Sequence, residues 1–271
     1  MKYAVVVKAR NEEANIEKTL LSLKRQTLEP SQLIVVDDGS TDQTGAIGSK
    51  YADLVVRLRD RGYSATGRPE LAKAINEGLA RVEKDVDYVM ICDSDHVLPV
   101  DYVETIIERM EKNPHLVVAS GRIKDEPYEE SWPRGSGRLV KVWFWKKFNN
   151  MQYPVVWCWE EWLCYKALQQ GYEVRAFKDV ISEVRRHTGK RSAEAWGWGK
   201  SMYALGYDWK FALARCLVTF LNSPRQGVSM FRGWLHHNDV EQVDIASWVN
   251  RMQKKQFHNR VLKFIRYGGR K

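Results

Sequence analysis

The chain is poor in cysteine and has no long apolar run. Its four cysteines, at 92, 158, 164 and 216 of 271 residues, form no CxxC and no paired spacing. That excludes a disulfide framework and a thiolate zinc site, and it fits a reducing, cytoplasmic setting. No apolar stretch reaches bilayer length, since the longest, 211–221, is interrupted by Arg215. The opening MKYAVVVKARNEE returns to charge too soon for a signal peptide. Internal repeats and low-complexity segments are missing too. At 44% hydrophobic and 28% charged, the composition excludes a disordered or collagenous chain. The length suits one elaborated domain, or a domain with an appendage.

Charge is unevenly placed. Residues 171–271 hold 19 Lys+Arg against 8 Asp+Glu, whereas residues 1–170 hold 24 against 26. A basic back of this kind suits an anionic partner such as nucleic acid, a phospholipid surface or a polyprenyl phosphate. A plain solvated surface explains it equally well. Tryptophans are many, and they cluster at 143/145, 157/159/162 and 196/198.

Strand and helix signals alternate over the first 120 residues. Apolar runs at 3–7, 33–36, 54–58, 88–92 and 116–120 predict strands. Helical spacing predicts helices over 12–26, 44–51, 69–82 and 102–112. Residues 121–155, rich in Gly, Pro, Trp and charge, read as a long loop or irregular insertion. Beyond them the pattern predicts a helix over 160–170 and strands over 172–177 and 180–184. Helices follow over 209–221 and 239–265, the last broken around 256–259. The expected division is a first domain over 1–200 and a basic, aromatic-rich helical extension over 201–271.

Short apolar strands separated by helices imply βαβ units. The expected fold is therefore α/β, with a mostly parallel, Rossmann-like sheet flanked by helices. Such sheets bind ligands beyond the carboxyl ends of their strands. Two acidic clusters fall at those ends, Asp37-Asp38 and Asp93-Ser94-Asp95. Two carboxylates two residues apart can hold one divalent cation against a diphosphate. Singly, each cluster is as well explained by a turn or a helix cap. Together, at the ends of strands expected to be neighbours, they point to one site.

The strings VVVKARNEEANIEKTLLSL, LIVVDDGSTDQT, YVMICDSDHVLP and WEEWLCYKALQQGYEV resemble, in order and spacing, the signatures of the family 2 glycosyltransferases. The resemblance covers roughly 1–195. It implies a GT-A fold, a UDP- or GDP-sugar donor, a carbohydrate or lipid-linked acceptor, and Mn²⁺ or Mg²⁺. It also implies inversion by single displacement. Ala9, Arg10 and Glu12 would line the nucleotide pocket, and Asp38, beside Asp37, would accept hydrogen bonds from the base. Asp93 and Asp95 match the metal-binding pair, with Asp93 and Ser94 on the nucleotide side. His187, in RRHTGKRS, falls where relatives often complete the metal or diphosphate site. The cations around it would meet the leaving diphosphate; a lone histidine is otherwise surface or packing. Glu161 stands where the family usually carries the aspartate of a Glu-Asp pair, the general base. The pair here is Glu160-Glu161, so the base is open by one residue. A carboxylate at a helix N-terminus would explain either glutamate without catalysis.

The chain departs from the family in one helix. Where relatives often place an arginine ahead of Asn-x-Gly, this chain has Ile75, and Lys73 or Arg68 are the nearby cations. A sugar nucleotidyltransferase would open with a glycine-rich loop, which KARNEE lacks. A nucleic-acid-binding module would use the interleaved KVWFWKKF at 141–148 for stacking. Acidic clusters at both strand ends oppose that reading, so no nucleic acid is expected. The basic helices after residue 200 suggest peripheral contact with the inner face of the cell membrane, or else a helical cap with its basic side in water.

Overall fold

The structure, a computed structural model, describes residues 1–185 and 192–255. These residues form two compact units. One comprises 1–65, 70–154 and 170–185, the other 66–69, 155–169 and 192–255.

The first unit is built on β1 (Tyr3–Ala9), α1 (Ile16–Lys24), β2 (Gln32–Asp37), α2 (Thr44–Tyr51), β3 (Leu54–Arg57) and α3 (Pro69–Leu79). It continues through β4 (Tyr88–Asp93), β5 (His96–Val97), α4 (Tyr102–Lys112), β6 (Leu116–Ile123), β7 (Arg138–Lys141), α5 (Val142–Asn149) and, later, β8 (Glu173–Val184). One eight-stranded sheet runs in the order β3-β2-β1-β4-β7-β6-β8-β5. Strands β3, β2, β1 and β4 are mutually parallel, and β6 pairs in parallel with β8. The mostly parallel α/β sheet is thus as expected.

Burial on both faces explains why the parallel strands are continuous apolar runs. Tyr3, Val5 and Val7 of β1 point to one face with Leu33, Val35 and Met90, where α1 and α4 pack through Ile16, Leu20, Ile106 and Met110. Alternate residues face α3. Its Gly78 lies so close to Val6 and Val36 that an added Cβ would meet their methyl groups at 2.5–2.7 Å.

Several expectations are corrected. β2 and β4 are not neighbours, because β1 lies between them. The segment 121–155 is not a loop throughout: β7 and α5 lie within it, and β7 runs antiparallel between β4 and β6. Its terminal cations are buried. Arg138 donates to the carbonyls of Arg134 and Pro133, and Lys141 to that of Met110. Phe144 and Trp145 are fully buried, so KVWFWKKF offers only Trp143 as an exposed ring. Residues 173–184 are one strand rather than two, with a register shift opposite Gly121 and Arg122. The expected helix over 239–265 starts only at 246: residues 239–245 are turns and irregular chain, 246–255 are helical, and 256–265 lie outside the described residues.

The second unit comprises α6 (Trp159–Gln169), α7 (Ser192–Ala204), α8 (Trp209–Asn222), α9 (Pro224–Leu235) and the helix over 246–255. α9, which the pattern does not reveal, starts at Pro224, where a missing N–H costs nothing. Ala195, Met202, Ala212, Cys216 and Met230 form its core. α7 and α9 meet at backbone distance, since a Cβ on Gly199 would lie 2.1 Å from the Met230 carbonyl oxygen. Lys200 is clamped beside them, bonded at 2.6–2.7 Å by Asp239 and covered by the rings of Trp157 and Trp196. Gly199→Ala is expected to cost about 1–3 kcal/mol by overpacking. Thermal denaturation should show a melting point lower by several degrees; an unchanged value would contradict the helix contact.

Candidate functional site

The parallel register brings three strand ends level. Ala9 is opposite Asp37 on β2, and Lys8 is opposite Asp93 on β4. Ala9, Arg10, Glu12, Asp37, Asp38, Asp93, Ser94 and Asp95 are therefore gathered at one edge of the sheet in the first unit.

The β1–α1 loop and the Asp37–Asp42 turn are tied together by side-chain to backbone bonds. Asn11, at φ 53°, accepts from the Thr41 amide at 2.8 Å and donates its own amide to the Ser40 hydroxyl at 3.0 Å. The Glu12 amide donates to Thr44 at 2.7 Å, and the buried Glu12 carboxylate accepts from Asn15 at 2.9 Å. Asp37 accepts from the Ser40 amide at 2.9 Å. Asp42 accepts from the amide and hydroxyl of Thr44. Burial opposes its charge, but these hydrogen bonds win and hold its pKa below the usual range. Gly39, at φ +73°, leaves room for the backbone of Asp60; a Cβ would come within 2.5 Å of the Asp60 Cα.

Asp38 is the most protected carboxylate of the set, at 3% exposure. Arg61 grips both its oxygens, at 2.5 and 2.6 Å. This bidentate contact raises the guanidinium pKa. Arg10 donates to the backbone carbonyls of Asp38 and Gly39 and to Asp60. The cation on Asp38 is thus Arg61. Sequence reasoning missed it because 57–68 holds four arginines with nothing to rank them.

The other cluster is fixed from below. The Asp93 amide donates to Ser136 at 2.8 Å, Ser136 contacts His96 Nδ1 at 2.6 Å, and His96 Nε2 meets Ser182 at 2.7 Å. Burial lowers the pKa of this histidine to about 4, so it is neutral at pH 7. The Thr19 hydroxyl donates to the Ser94 carbonyl at 2.9 Å. Asp95 is 8% exposed, so it is buried rather than at an open strand end. Lys8 Nζ lies 3.0 Å from Asp93 Oδ1 but out of line for a hydrogen bond, so that buried oxygen accepts none. Lys8 thus already sets a positive charge beside that oxygen, which a metal ion would have to share or displace. Among the described residues, no group of three or more His, Cys, Asp or Glu is arranged to hold a metal ion. His187 lies outside the described residues. Lys8, Ser136 and His96 were not foreseen. Only Lys8, a cation inside an apolar strand, carried a visible signal.

Glu160 and Glu161 belong to the second unit, in the first turn of α6, where carboxylates complement the helix dipole. Both are half-buried. Their neighbours differ. Burial, with the Glu161 charge as a lesser cause, raises the pKa of Cys158 and of Tyr165. Glu161 lies on the side of Cys158 and Tyr165, while Leu163 and Cys164, also buried, lie one turn on from Glu160. Below it, the Trp162 indole and Lys166 both donate to Asp244, at 2.8 and 2.6 Å.

Comparison with known proteins agrees with this geometry. The model of "Glycosyl transferase family 2" matches residues 4–174. Glycosyltransferase GlyA of Streptococcus pneumoniae serotype 4 is 33% identical over 109 residues, 40% of this chain but 15% of that protein. The chain thus spans a small part of this curated relative. Among solved structures, S. aureus TarS 1-349 in complex with UDP-GlcNAc is 19% identical, with a TM-score of 0.56 over 76% of this chain and 66% of that one. The mannosyltransferase PcManGT from Pyrobaculum calidifontis, in complex with GDP-Man and Mn²⁺, is 15% identical. Its TM-score is 0.59 over 94% of this chain and 80% of its own. These two likenesses establish a fold shared with glycosyltransferases of GT-A type. With its strand-end carboxylates and a family match over most of its length, the chain belongs to glycosyltransferase family 2.

Proposed function

We propose that this protein is an inverting glycosyltransferase that moves a sugar from a UDP- or GDP-sugar to an acceptor hydroxyl or a lipid phosphate. The observation that carries the reading is the convergence of Asp37-Asp38 and Asp93-Ser94-Asp95 at the carboxyl ends of β2 and β4, on either side of β1. Sheets of this kind bind nucleotides at that edge. TarS with UDP-GlcNAc and PcManGT with GDP-Man support a nucleotide-sugar donor.

Roles follow from the chemistry of each group. The Asp38 carboxylate accepts N–H bonds from the base once Arg61 yields an oxygen, while Ala9, Arg10 and Glu12 wall the base pocket. Ser94 and Asp93 orient the ribose. Asp93 and Asp95, two hard oxygen donors of which one has a buried oxygen without a hydrogen bond, suit Mn²⁺ or Mg²⁺, with His187 as a further ligand. Such an ion would neutralise charge on the departing diphosphate. Glu161 takes the proton from the acceptor hydroxyl, whose oxygen attacks the anomeric carbon as the bond to the diphosphate breaks. That single displacement inverts the centre through an oxocarbenium-like transition state.

Because Asp95 is buried, its test substitution should keep its shape. Asp95→Asn is expected to retain the circular dichroism spectrum and melting point while metal-dependent binding of the nucleotide sugar is lost, by calorimetry. Full binding and turnover in the presence of Mn²⁺ would remove Asp95 from the site.

Glu161→Gln is expected to leave donor binding intact and lower kcat by about two to four orders of magnitude, the usual scale for a general base. Glu160→Gln should have a much smaller effect. Steady-state kinetics on both variants decides, since the reverse ranking would assign the base to Glu160.

A further inference from the structure

Within the second unit α8 and α9 form a helical hairpin. α8 and α9 are joined through Ser223 alone, and they touch near the turn, where a Cβ on Gly227 would lie 2.4 Å from the Phe220 Cα. The inner side is accounted for by Ala212, Cys216 and Met230, which pack with α7. The outer side is not. Trp209, Leu213, Leu217 and Leu221 recur every four residues, so they share one face of α8. All are exposed, and exposure rises toward the turn, from 37% at Leu213 through 55% at Leu217 to 82% at Leu221. Val218 and Phe220 beside them, and Val228 in the first turns of α9, are exposed too. One exposed leucine is ordinary; a stripe with its own tip marks a contact surface.

The charges on the same hairpin choose the partner. Between 209 and 235 the chain carries Lys210, Arg215, Arg225 and Arg232, and no aspartate or glutamate. Arg225 and Arg232, two turns apart on α9, line an open cavity of about 550 Å³ with Trp196, Pro224, Val228 and Ser229. An apolar tip flanked by guanidinium groups matches a surface that is apolar inside and anionic at its rim. A second copy of this face would set cations against cations. Nucleic acid would satisfy the arginines and leave Leu217, Val218 and Leu221 in water. We infer that the α8–α9 hairpin docks on an anionic phospholipid surface, with the leucine tip in the acyl boundary and Arg225 and Arg232 on headgroup phosphates. No helix among the described residues is long and apolar enough to cross a membrane, so the contact is interfacial.

The test uses the full chain and no nucleotide sugar, so its outcome is independent of the proposed transfer reaction. Vesicles of phosphatidylcholine, alone or mixed with phosphatidylglycerol, are sedimented with the wild type, Leu217→Ser/Leu221→Ser and Arg225→Gln/Arg232→Gln. All four side chains are exposed, so the melting point should not move. The wild type is expected to bind only the anionic vesicles, less as salt is raised. Each double variant should bind about tenfold or more weakly, since two contacts with the surface are removed. Failure of the wild type to bind at low salt would overturn the inference, as would binding that survives both double variants. So would a dimer, seen by sedimentation velocity without lipid, that Leu217→Ser/Leu221→Ser dissolves.

Discussion

Parallel pairing of β1 with both β2 and β4 is the constraint on which the rest depends. Because the strands are parallel and both faces are covered, their carboxyl ends come out on one edge and their side chains cannot slip by one residue without exposing core. Val5, Val6 and Val7 of β1 are all fully buried, on alternating faces. A slip would therefore bury the wrong residues on two faces at once. The register that satisfies the core is the one that sets Ala9 against Asp37 and Lys8 against Asp93. The acidic edge is thus a consequence of packing, positioned by groups that never face it.

Placing so many carboxylates at one edge has an electrostatic cost, and the surrounding loops offset it. Asp38 is met by Arg61, Asp60 by Arg10, and Asp93 by Lys8. Backbone amides of Ser40 and Thr44 take up Asp37 and Asp42. Each of these partners is a donor that a charged ligand could replace or join. Fixing the loop geometry in advance lowers the ordering cost of binding. His96 works on the other side of the chain, as a neutral link between Ser136 and Ser182 beneath Asp93.

The parts legible in the sequence are those whose cause is local. Strands buried on both faces are short apolar runs, and the strand-end carboxylates are adjacent in sequence, so β1, β2, β4 and both acidic clusters could be placed. β7 could not, because Leu139 and Val140 stand between Arg138 and Lys141, a pattern that reads as loop. Those cations tolerate burial only because carbonyls of residues 110, 133 and 134 fold over them. Arg61 was hidden for the same kind of reason. Only the turn at Gly39, closing on Asp60, distinguishes it from Arg57, Arg59 and Arg68. Asp95, at a strand end by its place in the sequence, is enclosed by the fold.

The central claim is that this edge of the sheet holds a nucleoside diphosphate sugar. Its most direct test is a thermal-shift titration of the intact chain with UDP-, GDP- and dTDP-sugars, with Mn²⁺ and with chelator. A ligand at about 100 times its Kd stabilises the folded state by about 2.7 kcal/mol, enough to move the melting point by several degrees. The account predicts such a shift for a UDP- or GDP-sugar, present with Mn²⁺ and reduced by chelator. No shift with any of the three nucleotide sugars at millimolar concentration would contradict it.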